Sequence, residues 1–239
     1  MLVLIALRKL DFKPFLSQLS VMVGSVHAVI FDFDGVISRT EPLHYRSFNE
    51  TVSKLGIHLP RKRWLSFTGR GAHYIMETVF RENGINEDID EWVFRRRKLF
   101  LHYALTKPLF AVRGLRQFLP KLHKMNIYTG IASGSKREVV VPILNRLGLR
   151  NEFCAIIGSE DFRNKKPHPE AFLTAAEALG IRPENCLVFE DSESGIKAAI
   201  LAGMRTYCVA TAANAKELGL KYNVPLIKDY TKFPISVLL

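Results

Sequence analysis

Six short apolar runs, at 28–33, 127–132, 154–157, 187–189, 206–209 and 225–227, set the strongest limit on how this chain can fold. Each is too short to be a buried helix, and none alternates apolar with polar residues as a half-exposed strand does. They read as strands covered on both faces, which is the state of strands in a parallel sheet. The later runs are separated by stretches of helical periodicity near 137–147, 170–179 and 193–202. Those lengths suit the right-handed crossovers that parallel neighbours require. The expected class is therefore α/β, a parallel sheet between helices.

The interval between the first two runs is far too long for one crossover. Residues 37–112 show no clear strand and read as helices. Pro42 suits a first helical turn, with His44, Phe48, Val52 and Leu55 on the inner face. Tyr74, Ile75, Thr78 and Val79 mark a second helix. A third runs over about 87–106, with Ile89, Trp92, Val93, Leu99, Phe100 and Tyr103 on one side. The organisation expected is an N-terminal extension over 1–26, a core formed by 27–36 and 113–239, and a helical cap of 37–112 inserted after the first strand.

The 239 residues are 48% hydrophobic, enough for one large core or two smaller ones. The net charge is +11, and residues 37–112 hold 13 Lys/Arg against 8 Asp/Glu. That excess suits anionic partners without singling out nucleic acid. The run Arg95-Arg96-Arg97-Lys98 follows acids at 87, 88, 90 and 91, as a solvated helix face suited to the helix dipole does. Cys154, Cys186 and Cys208 lack metal-ligand spacing and are expected to be buried thiols in a reducing compartment. No run approaches a membrane span. In the leader the apolar run 2–7 is short and its positive charges follow it, unlike a secretory signal. Arg8, Lys9 and Lys13 leave organelle targeting as the lesser alternative, opposed by Asp11. An appendage, or a translation start at Met22, is the expectation, with a cytoplasmic protein behind it.

Four stretches carry chemistry. In Asp32-Phe33-Asp34-Gly35 an apolar strand ends in two acids, and residues two apart share a strand face. Carboxylates there are costly to desolvate unless paired. A helix-loop-helix calcium site would need ligands at Val36 and Leu43 and a glycine at Ile37, and has none of them. In Ile131-Ala132-Ser133-Gly134-Ser135-Lys136 hydroxyls and backbone N–H groups meet a helix start, which serves either as a plain cap or as a phosphate site. In Asn164-Lys165-Lys166-Pro167-His168-Pro169-Glu170 the prolines stiffen a loop that can hold one ammonium over a site. Physical reasoning leaves the choice between Lys165 and Lys166 open. In Leu187-Val188-Phe189-Glu190-Asp191-Ser192-Glu193-Ser194-Gly195 a second strand ends in acids. Two such ends in one sheet suggest a hard cation of the magnesium type.

In order and spacing, FDFDGVISRTEPLHYRSF, SGSK, KKPHPE and VFEDSESGIKAAILAGM resemble the haloacid dehalogenase superfamily, in its β-phosphoglucomutase-like and phosphoglycolate phosphatase-like branch. The resemblance runs from about Val29 to Tyr230 and implies a Rossmann-like three-layer parallel sheet with an inserted helical cap. It implies Asp32 as nucleophile, forming an aspartyl-phosphate, and Asp34 as general acid and base. Ser133 and Lys166 would bind phosphoryl oxygens, with Gly134, Ser135 and Lys136 beside them. Mg²⁺ would be held by Asp32, the main-chain carbonyl of Asp34 and Asp191, with Glu190 in or just outside that shell. The physics agrees, since an anionic carboxylate is repelled by a phosphate dianion unless cations neutralise the site.

His44 lies where that branch often has a histidine beside the general acid; a packed hinge histidine is the plainer alternative. Arg96 shares the stripe of Trp92 and Phe100, and either snorkels from a packed helix or faces the cleft to bind an anion. The expected function is hydrolysis of a small phosphorylated metabolite by a monomer or weak dimer. A sugar-phosphate mutase is the alternative, and it needs an arginine in the cap loop for a second phosphate. Here that loop, 68–73, has Arg70 beside its first glycine and Ala72 at the mutase position. Dehalogenation is disfavoured because those relatives lack the second acid. A non-catalytic, basic nucleic-acid-binding protein is the reading from another class, and the complete acid, serine, lysine and acid set argues against it.

Overall fold

The computed structural model of the chain describes residues 25–212 and 214–239. The readings made of the leader lie outside the described residues, apart from its last two. Each expected run is a strand, with ends within two residues of expectation: β1 Ala28–Phe31, β2 Tyr128–Ala132, β3 Ala155–Ile157, β4 Cys186–Glu190, β5 Arg205–Val209 and β6 Leu226–Ile227. They form one sheet in the order β3-β2-β1-β4-β5-β6, and every pairing is parallel.

The chain winds outward from β1 in both directions. This leaves a topological switch beyond the carboxyl end of β1, the edge where open α/β sheets bind ligands. Strand β1 alternates across the sheet: Val29 and Phe31 join one apolar cluster, Ala28 and Ile30 the other. Phe31 stacks on Phe189 of β4 at 5.4 Å between ring centroids. All four residues of β1 are buried, so the strand cannot slip register without exposing one cluster.

Four helices make up the insertion that follows β1: α1 Glu41–Val52, α2 Arg61–Leu65, α3 Ala72–Glu82 and α4 Ile89–Thr106. They have an apolar cluster of their own that includes Phe48, Trp64, Met76, Phe80 and Trp92. Helix α4 starts later than expected because Asp88 acts as its cap, accepting from the N–H groups of Asp90 and Glu91. Helix α1 stops at Val52, so Leu55 sits in a following 3₁₀ turn and is only partly buried. The second half continues with α5 Leu115–Lys124, α6 Arg137–Arg146, α7 Glu170–Leu179, α8 Glu193–Leu201 and α9 Ala215–Tyr222. Sequence reading passed over α2, α5 and α9. The first has only five residues, the second contains Pro120, and the third contains Gly219.

Cys186 and Cys208 are buried free thiols, as expected, but Cys154 is exposed. It precedes β3, held by its N–H donating to the Thr129 carbonyl, and only the strand that follows is covered. Among the described residues no helix is long and apolar enough to cross a membrane.

Candidate active site

The pairing of β1 with β4 puts Phe31 opposite Phe189, so the residues that follow, Asp32 and Glu190, emerge side by side. The Asp32 N–H donates to the Phe189 carbonyl at 3.0 Å and ties that end down. Lys166, from the loop before α7, donates to Asp32 Oδ1 at 2.6 Å, to Glu190 Oε1 at 2.8 Å and to the Ala132 carbonyl at 3.1 Å. The three donors of one ammonium are thereby used. Its Nζ lies 4.4 Å from the centroid of the Phe172 ring. Lys165 is exposed. Geometry thus separates two lysines that physical reasoning on the sequence left open.

The other oxygen of Glu190 accepts from the N–H groups of Asp191 and Ser192, each at 2.8 Å, and from Ser192 Oγ at 3.0 Å. Ser192 also caps α8 by accepting from the Gly195 N–H. Two glycines make room for these acids. A Cβ on Gly195 would lie 1.6 Å from Glu190 Oε1, and one on Gly35 would lie 1.9 Å from Asp191 Oδ2. Gly35 has φ +82° as well, which disfavours any side chain there.

Asp32, Glu190 and Asp191 bring oxygens within 4.8 Å of one another. Burial pushes Asp32 up, and Glu190 and Asp34 add to this against the pull of Lys166, giving a pKa of about 7. Burial likewise raises Asp191, with Glu190 and Asp32 contributing. Burial opposes the charge on Lys166, but Asp32 and Glu190 outweigh it and raise the ammonium above its usual range. Three clustered carboxylates against one ammonium leave an excess of negative charge. An all-oxygen donor set in a glycine-lined cradle fits a hard divalent cation of the magnesium type.

Asp34 is held separately. Its Oδ1 accepts from Thr40 Oγ1 at 2.6 Å and from His44 Nε2 at 2.9 Å, and its Oδ2 accepts from Ser135 Oγ at 3.1 Å. Burial alone would raise Asp34, but His44 and these hydroxyl donors bring it down to about 2. His44 has its own pKa lowered, by burial and by Arg96, against the pull of Asp34. Its Nδ1 accepts from the Arg96 guanidinium, which fixes the proton on Nε2, facing Asp34. Phe100 stacks on the imidazole at 3.9 Å and 3°.

Arg96 does not snorkel to solvent. Its guanidinium turns inward to His44, and its Nε is buried without a hydrogen-bond partner. Burial lowers its pKa to about 10, opposed by Asp34. Ser133 is buried and its Oγ accepts from the Ser135 N–H at 3.0 Å, so it does not cap α6; Lys136 occupies the cap position. Gly134 and Lys136 are exposed. Arg70 is exposed too, its guanidinium 5.0 Å from the Tyr74 ring centroid. Sequence reading missed Thr40 and Thr211. The Thr40 hydroxyl goes to Asp34 although the residue stands at the cap of α1. Thr211 follows β5 and donates to Asp191 Oδ2 at 2.9 Å; its place just past a strand's carboxyl end was the available signal.

Residues 29–209 match the family described as haloacid dehalogenase-like hydrolase. The chain belongs to that family. It is similar to the fructose-1-phosphate phosphatase YqaB of Escherichia coli, 29% identical over 74% of this chain and 92% of the relative. It is similar also to the beta-phosphoglucomutase of Bacillus subtilis, 30% identical over 85% of this chain and 91% of the relative. Among solved structures, a family IA, variant 3 HAD hydrolase from Entamoeba histolytica superposes with a TM-score of 0.82 at 25% identity, covering 89% of this chain and 97% of the other. The parallel sheet with a helical insertion is thus the fold of a hydrolase family. As a haloacid dehalogenase-like hydrolase this chain is an enzyme, and its acids stand at the switch point where the fold places ligands.

Proposed function

We propose that this enzyme is a Mg²⁺-dependent phosphatase that hydrolyses a small phosphorylated metabolite through an aspartyl-phosphate on Asp32. The observation that carries the reading is the Lys166 ammonium bridging buried Asp32 and Glu190, with Asp34 positioned beside them by three side-chain donors. The names of relatives support the substrate class: a fructose-1-phosphate phosphatase, and a phosphorylated carbohydrates phosphatase of Thermotoga maritima that is 28% identical over 79% of this chain.

In the first step the Asp32 carboxylate attacks phosphorus and the ester P–O bond breaks. Asp34 gives its proton to the leaving oxygen. In the second, Asp34 takes a proton from water, the water oxygen attacks phosphorus, and the bond to Asp32 breaks to release phosphate. At rest Asp34 is a carboxylate; an anionic substrate entering beside it opposes its donors and raises its proton affinity. Lys166 holds Asp32 in place and offers positive charge to the phosphoryl oxygens. Ser133 and Ser135, with the N–H groups around Gly134, stand where those oxygens would be bound. Asp32, Glu190, Asp191 and the main-chain carbonyl of Asp34 would hold Mg²⁺, which supplies the positive charge that lets one anion approach another.

A mutase is the second reading, favoured by the Bacillus subtilis relative. Against it, Ala72 begins α3 at the loop position where a mutase needs an arginine, and Arg70 lies on Tyr74. Phosphate release from sugar phosphates, phosphoglycolate, glycerol phosphates and nucleotides, with Mg²⁺ and with EDTA, tests the proposal. Release that needs Mg²⁺ and vanishes in Asp32→Asn is expected. Isomerisation of β-glucose-1-phosphate without net phosphate release would favour the mutase instead.

A further inference from the structure

Each clustered carboxylate has its own orienting donors. Asp32 has Lys166; Glu190 has Lys166, Ser192 and two main-chain N–H groups. Among the described residues no ammonium lies against Asp191. Its side-chain partner is the Thr211 hydroxyl, which reaches Oδ2 at 2.9 Å from the loop between β5 and α9. The hydroxyl comes from firm ground. The Thr211 N–H donates to the Val209 carbonyl at 2.8 Å, and the preceding Ala210 N–H donates to the Ile227 carbonyl of β6 at 2.8 Å. Gly35 closes the other side of the same oxygen, since a Cβ there would meet Asp191 Oδ2 at 1.9 Å and Thr211 Oγ1 at 3.0 Å.

We propose that Thr211 is a positioning residue for the divalent cation, holding the Asp191 carboxylate in its metal-binding orientation. A carboxylate has two free torsions, and here three acids crowd one place, so Asp191 without its donor would swing away from Asp32 and Glu190. One hydrogen bond to a single oxygen fixes the carboxylate plane and leaves lone pairs for the ion. Donors behind metal-binding carboxylates set affinity by about 10–100-fold. The inference rests on the Mg²⁺ reading given above and adds to it a residue outside every motif of the sequence.

The test is isothermal titration of the full chain with Mg²⁺, beside the Mg²⁺-dependent rise in Tm. It compares the parent protein with Thr211→Val, which keeps the shape and removes the hydroxyl, and Thr211→Ser, which keeps the hydroxyl. About tenfold weaker Mg²⁺ binding in Thr211→Val, with Thr211→Ser close to the parent, is the expected result. Equal affinity in Thr211→Val and the parent overturns the proposal, and so does a loss in Thr211→Ser as large as in Thr211→Val. Should Thr211→Val not fold, the Thr211→Ser comparison with Thr211→Ala decides on the same criterion. A parent protein that binds no Mg²⁺ refutes the metal reading itself and this role with it; a parent that binds, with the variants unchanged, refutes only the role of Thr211.

Discussion

At the scale of single residues the site is a problem of crowded charge. Asp32→Asn is nearly isosteric, removes one of three clustered carboxylates and leaves Lys166 its bond to Glu190. The variant should keep its Tm in EDTA to within a few degrees while kcat falls by about 10³-fold or more, as for loss of other covalent nucleophiles. Lys166→Met is the opposite case. It leaves Asp32 and Glu190 buried without a cation, which costs about 3–5 kcal/mol. Denaturant unfolding should show that loss in EDTA and a smaller one with Mg²⁺, because the ion takes over the neutralisation. Gly195→Ala should be worse than its size suggests, since the methyl must displace Glu190 Oε1. Weakened Mg²⁺ binding and a lowered Tm are expected, and calorimetry with and without the ion checks both.

At the scale of elements, the inserted helices do more than cover the sheet. Helix α1 brings His44 and helix α4 brings Arg96, and the two meet through their side chains over Phe100. The Asp34 carboxylate, proposed above as general acid and base, is thereby oriented by a pair of residues from the inserted helices. Arg96→Ala removes the donor that fixes the His44 tautomer, together with one of the charges that depress its pKa. The His44 pKa, followed by NMR of the ring protons, should rise above its value in the parent, and kcat should fall about 10–100-fold, as on loss of a group that orients a catalytic one. An unchanged His44 titration would show that Arg96 acts only as a packed stem. The helical character of this insertion was legible from the apolar stripe of Trp92, Phe100 and Tyr103. The inward turn of Arg96 was not, because periodicity places a residue on a face and leaves its long side chain undirected.

At the scale of the whole molecule, stability should depend on pH and metal together. Asp32 has its pKa raised from 3.8 to about 7, so the folded state binds more protons than the unfolded state between those values. Stability from this group therefore falls as pH rises from about 4 to 7 in the absence of metal. If these acids hold Mg²⁺ as proposed, the ion takes their deprotonated form, so the gain in Tm that it confers should grow over the same window. Near pH 7.5, Mg²⁺ at about 100 times its Kd should stabilise the chain by about 2.7 kcal/mol, or roughly 5–10 °C for a protein of this size. Thermal melts across pH, with Mg²⁺ and with EDTA, measure the difference; a gain that shrinks towards neutral pH would contradict the charge crowding. The sequence by itself determined the parallel α/β class, the helical insertion, and the strand ends at Asp32 and Glu190 that carry acids, because strand burial and periodicity are local and chain order limits which strands can pair. Only the tertiary structure decided that Lys166 rather than Lys165 reaches Asp32, that Arg96 faces His44, that Cys154 is exposed, and that Thr40 and Thr211 serve the acids. The contacts of Lys166, Arg96 and Thr211 join side chains 134, 52 and 20 residues apart, and no local pattern records such a meeting.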